Sequence, residues 1–150
     1  MSKAIVSRAM TPDELHHRAL HEAGHATVAE ILGVKVTRVD IDRRDGGVCF
    51  AYPETPTLYL LVGVGGTVAE RIAGRRCAWS FGADEAMLKE VATATAIERA
   101  RAVVFPLLRM HWPAVLAVRD LLIERRRIGA RQLRLTVARA LTEPAPSSRA

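Results

Sequence analysis

Apolar positions along the chain recur with two different periods, and the changes of period mark out the elements. Thr11-Pro12-Asp13-Glu14 opens a helix: Thr11 caps it, Pro12 fits the first helical position, and Glu14 completes a capping box. Leu20, Gly24, Thr27, Val28 and Ile31 then recur on one face, and Gly33 is a natural stop. A helix over residues 12–32 is predicted. After it, Val34, Val36, Val39 and Ile41 stand among polar residues in a β-type stretch. Arg44-Asp45-Gly46-Gly47 signals a turn, and residues 48–52 form a second strand, so the two make a hairpin that Pro53 and Pro56 end.

The remainder reads as helical. Thr55-Pro56 caps a mostly buried helix that ends near Gly74. Residues 75–83 form a loop with Trp79 and Phe81 turned inward. A third helix spans 84–110, kinked or split at Pro106. Pro113 opens a fourth, reaching Arg127; Gly129 breaks it, and residues 131–141 form a last short helix. Residues 143–150, with Pro144, Pro146, Ser147 and Ser148, read as a disordered tail. No internal repeat is present. The expected fold class is mainly α with a small β-hairpin or sheet (α+β), as one domain over residues 1–142.

Composition narrows the class. At 150 residues the chain is long enough to bury a core, and 49% apolar with 25% charged residues marks it as globular rather than disordered. Aromatics are only 5%, so the core must be built from Ala, Val, Leu and Ile. The net charge of +6 fits a nucleic-acid or anionic-membrane partner in principle. No nucleic-acid motif accompanies it, and the late arginines (Arg125, Arg126, Arg127, Arg131, Arg134, Arg139) read as a solvated helical face. Cys49 and Cys77 make no disulfide framework, and residues 1–10 hold no apolar signal region, so a cytoplasmic chain is expected. The longest uncharged run, 55–69, is too short for a membrane span and contains Gly63, Gly65 and Gly66.

The chemistry sits in His21-Glu22-Ala23-Gly24-His25. Histidines four residues apart on a helix share one face, so both can point at one ion. Zinc accepts neutral imidazole nitrogen readily. Glu22, beside His21, projects toward the open side of the metal, where it can take a proton from zinc-bound water. A catalytic zinc usually has three protein ligands. The common third histidine, six residues after the second, is replaced by Ile31. Glu70, Asp84, Glu85, Cys49, Cys77 and His111 remain as candidates. His17 lies a further turn away from His21 and suits the cleft better than the metal.

The stretch from Ala19 through His21-Glu22-Ala23-Gly24-His25 to Ala26 resembles the zinc helix of the FtsH family of ATP-dependent proteases, including the Ala-Gly between the histidines. Residues 36–42 and 47–52 resemble that family's two strands. Gly65-Gly66-Thr67-Val68-Ala69-Glu70 resembles its Gly-Gly helix, Ser80-Phe81-Gly82-Ala83-Asp84 the loop that delivers its third ligand, and residues 121–133 its C-terminal helices. The resemblance runs from Leu15 to Val137. It implies one zinc per chain, held by His21, His25 and Asp84, with Asp84 opening a helix that places Leu88, Val91 and Ala92 on the matching face. It implies that Glu70 orients a zinc histidine.

No ATPase loop accompanies this domain: Gly63-Val64-Gly65-Gly66 lacks the lysine that reaches phosphates. The expected activity is therefore a zinc-dependent metalloendopeptidase acting on unfolded or extended polypeptide, fed by a separate ATPase or unfoldase if by any, and a homo-oligomer is allowed. The strand Gly47-Val48-Cys49-Phe50 is expected to pair with extended substrate by β-augmentation. The alternative is a catalytically silent FtsH-like adaptor that binds a protein partner. No nucleic acid is expected, and steeply salt-dependent DNA binding would argue otherwise.

Overall fold

The computed structural model describes residues 9–42, 47–75 and 81–144. The expected turn at 43–46, Cys77, the placement of Trp79 and the Phe81 side chain, and the tail from 145 onward lie outside the described residues and groups.

Helix α1 (Pro12–Ile31) starts as its capping box predicts. The Glu14 amide donates to the Thr11 hydroxyl at 3.2 Å, and the Thr11 amide donates to the Glu14 carboxylate at 2.8 Å. Gly33, at φ 71°, turns the chain away after it. The single apolar face expected of this helix is too narrow a description: every residue from 19 to 29 is buried. Alanine and glycine recur around the helix and let neighbours approach on several sides, so a two-letter apolar pattern understates its burial. Helices α3 (Gly65–Ile72) and α6 (Trp112–Arg125) cover it, and strands β1 (Lys35–Asp40) and β2 (Val48–Tyr52) meet it as well. At the α1–α3 crossing, backbone meets backbone: a Cβ on Gly24 would lie 2.3 Å from the Gly65 carbonyl oxygen.

The hairpin is present, with β1 and β2 antiparallel and an irregularity between Val36 and Arg38. A third strand, β3 (Arg127–Gly129), pairs antiparallel with the other side of β1, giving the order β2-β1-β3. Buried Asp40 accepts from the Arg127 guanidinium at 2.8 Å and anchors this pairing. Sequence pattern predicts helix up to Arg127 instead. The chain leaves α6 at Arg126 in the left-handed region (φ 65°), and three residues are too few to show a strand period.

Two further helices divide where the pattern shows one. The segment from Pro56 splits into α2 (Pro56–Gly63) and α3 at Val64, where glycines on both sides weaken the helix and the Gly24–Gly65 contact draws α3 against α1. The segment expected to be continuous to Pro106 breaks earlier, into α4 (Phe81–Val91) and α5 (Ala94–Met110). Thr93 caps α5 by accepting from the Ala96 amide at 3.1 Å. Pro106 stays inside α5, and the sharp change of direction, 83°, comes after it, between α5 and α6. Helix α4 starts at Phe81, so Asp84 lies in its first turn rather than opening it. Leu88 is buried on α4 as expected, whereas Val91, at the end of the helix, is exposed. Helix α7 (Ala130–Thr142) closes the described fold, its Leu133 and Val137 in the core. Among the described residues no single helix is long and apolar enough to cross a membrane.

Candidate metal centre and cleft

Three donor atoms converge where α1 meets α4. His21 Nε2 and His25 Nε2 are 3.0 Å apart, and Asp84 Oδ2 lies 2.7 Å from the first and 2.8 Å from the second. The helical spacing puts both rings on one side, and they meet edge to face at a centroid distance of 4.7 Å.

The second nitrogen of each ring sets which atom is left to bind. His25 Nδ1 donates to the Val62 carbonyl at 2.7 Å, because a carbonyl can only accept. His21 Nδ1 donates to the Glu70 carboxylate at 2.8 Å. A neutral imidazole that spends its hydrogen at Nδ1 presents a bare lone pair at Nε2. Two such lone pairs and a carboxylate oxygen repel one another at 3 Å or less unless a cation sits among them. The cation is a proton or a metal ion, and His21, His25 and Asp84 form a cluster able to hold a metal. Gly66 leaves the room: a Cβ there would lie 2.5 Å from His21 Nε2 and 2.6 Å from His25 Nε2.

The electrostatics of the metal-free cluster follow from the same contacts. Burial disfavours a charged His21, but hydrogen bonds to Asp84 and Glu70 outweigh it and push its pKa up to about 10. His25 is raised likewise, against its burial, chiefly by the bond to Asp84. Burial pushes the Asp84 carboxyl up, yet the two imidazoles holding it win and keep it below the ordinary carboxylate range. Glu22 is shifted the other way. Burial raises its pKa, with His25 and His21 opposing.

Glu22, His25 and Asp84 line one end of a cleft of about 420 Å³. Gly47 and, from the edge strand β2, Cys49, Phe50 and Ala51 line the cleft, with Tyr59, Val62, Met87 and Leu88 adding apolar lining. Gly47 sits against the Glu22 carboxylate: a Cβ there would lie 2.8 Å from Oε1.

Of the other candidates for a third ligand, those among the described residues lie outside the donor cluster. Glu70 is the acceptor behind His21. Glu85 pairs with Arg101 on α5. His111 Nδ1 donates to the Leu107 carbonyl at 2.8 Å, near the end of α5. Cys49 lines the cleft outside the donor cluster, and burial raises its thiol pKa, which disfavours the thiolate a metal needs. His17 is not a cleft residue: it is buried and bonds Glu70 Oε1 through Nε2 at 2.9 Å. This link, the Val62 carbonyl and the role of Gly66 escape sequence reasoning. One signal was available: Gly66 and Glu70 are four residues apart on α3 and so face α1 together.

No protein-family model matches the chain, and no curated protein matches it significantly.

Proposed function

We propose that this chain is a zinc-dependent metalloendopeptidase of the FtsH kind, hydrolysing peptide bonds in extended polypeptide. One observation carries the reading: two buried Nε2 atoms with their tautomers set from behind converge with Asp84 Oδ2 at the end of a cleft that Glu22 also lines. The donor set of two imidazoles and one carboxylate, with a side open to the cleft, suits a catalytic zinc better than a closed structural one. Zinc bound there supplies Lewis acidity, polarising the scissile carbonyl and acidifying water.

The chain's own residues do the rest. Glu22 accepts the proton from the attacking water and passes it to the departing amine nitrogen. Burial raises the Glu22 pKa in the metal-free chain, which makes its carboxylate a stronger base. Glu70 holds His21, and the Val62 carbonyl holds His25, so neither ring has to reorient on binding. Gly47, Val48, Cys49 and Phe50 on the edge strand offer backbone groups to an extended substrate, laying its scissile bond along the cleft. The apolar lining favours unfolded segments, so folded substrates would have to be opened before cleavage.

Metal analysis of the purified protein should find one zinc per chain, a single site of this type. Casein cleavage should fall by a factor on the order of 100 to 10,000 in Glu22→Gln while zinc is retained. A wild-type protein that holds zinc and cuts no unfolded polypeptide would instead mark a binding module.

A further inference from the structure

Asp84 stands far along the chain from the histidines it joins, on α4. Of the α4 side chains described, only Leu88 is buried, and it packs on α2 beside Gly63. The next residue after Asp84 has a stronger tie. The Glu85 carboxylate, 18% exposed, pairs with Arg101 Nη2, and Arg101 Nη1 pairs with Glu98. The Arg101 side chain is only 9% exposed and rises from α5, whose Ile97, Ala100, Val104 and Leu108 are in the core. Its Nε has no hydrogen-bond partner among the described residues. The guanidinium is thus a nearly buried charge carried by a core-packed helix and paired with the two carboxylates.

Neighbouring residues on an α-helix point about 100° apart around its axis. A bond that locks Glu85 toward α5 therefore fixes where Asp84 points, and Asp84 points at the histidines. Leu88, one turn on, packs against α2, while the Glu85 carboxylate faces Arg101 on α5.

We propose that Arg101 is a positioning residue for the metal centre: by clamping Glu85 it holds α4 at the rotation that aims Asp84 between His21 and His25. This rests on the reading of that cluster as a metal site. It also accounts for the sequence Asp84-Glu85, two adjacent carboxylates of which one faces the donors and the other the clamp.

The test uses Arg101→Met, Glu85→Gln, the double variant and Arg101→Lys, with two readouts. Zinc affinity, measured by competition with a chromophoric chelator, should fall about tenfold or more in each single variant, as for other residues that orient a ligand. The double variant should lose no more than the worse single, and Arg101→Lys should recover part of the loss. Hydrogen exchange on the metal-free protein should quicken in α4 and leave α1 unchanged. Wild-type affinity in both single variants, losses that add, or unchanged exchange in α4 would overturn the proposal. If the wild type takes up no zinc, the functional reading fails, while exchange in α4 still decides whether Arg101 holds the helix. If Arg101→Met does not fold, Glu85→Gln interrogates the same bond from its more exposed end.

Discussion

Gly47 and Gly66 look alike in sequence and guard different things. A Cβ on Gly47 would lie 2.6 Å from Glu22 Cγ and 2.8 Å from its Oε1, so it presses on that side chain and not on backbone. Gly47→Ala should therefore fold and keep its zinc but lose about 100-fold in turnover, the order expected when a catalytic group is displaced by an ångström. A Cβ on Gly66 would press on both imidazoles, so Gly66→Ala should weaken zinc binding itself, read by chelator competition. Equal effects of the two on metal affinity would contradict this division. The His21 imidazole adds a dependence on pH. Its pKa in the metal-free chain is raised from 6.5 to about 10, so the stability it contributes is full below 6.5 and is lost as pH rises through about 10. A metal must displace that proton. Zinc binding between those pH values should release protons, seen in calorimetry as an apparent enthalpy that changes with the buffer's ionisation enthalpy. An enthalpy independent of buffer would count against it.

Among the elements, β2 and the end of α6 give separable tests. Successive residues of an edge strand turn their amides alternately to the partner strand and to the open side. Of Val48→Pro and Cys49→Pro, one removes an outward donor. That variant should keep zinc and melting temperature yet lose peptide turnover; if neither does so, substrate does not pair with β2. Arg126 holds a left-handed conformation that glycine adopts without strain, so Arg126→Gly should raise stability by about 0.5–1 kcal/mol in chemical denaturation. Elements with strong local signals were legible in the sequence. The capping box of α1, the Gly33 stop and the β1–β2 alternation all act within a few residues. The α4–α5 break was marked only by Thr93, a weaker sign than Pro106, and β3 was too short to carry a period. The break at Val64 follows from how α3 packs on α1, which no local pattern encodes.

For the whole molecule, the candidate site was half legible. His21, Glu22 and His25 announce themselves because one helix supplies all three at fixed spacing. Asp84 arrives across a long separation, and only a family resemblance singled it out from Glu85; the structure separates them by giving Glu85 to Arg101. Neither the Arg101–Glu85 pair nor the His17–Glu70 bond could be read, since both form only once α4 packs on α5 and α1 on α3. The cleft is lined in part by residues of the edge strand β2, and on the proposed reading a substrate enters it in extended form. The purified domain should cut casein, leave a stable folded protein intact in the same mixture, and show no response to added ATP. Cleavage of the folded protein at an equal rate would refute this account of access.

The crossing of α1 and α3 has one more consequence. Written as H-E-x-x-H, the motif leaves position 24 blank, because no reaction chemistry needs a side chain there. The contact with Gly65 fills that blank: even a methyl group at 24 would overlap the backbone of the helix that carries Gly66 and Glu70. In a randomised library, position 23 and position 24 would look equally neutral to a chemist, but selection for zinc retention should return glycine at 24 almost alone. The alphabet at that position is set by the neighbour's main chain rather than by the metal.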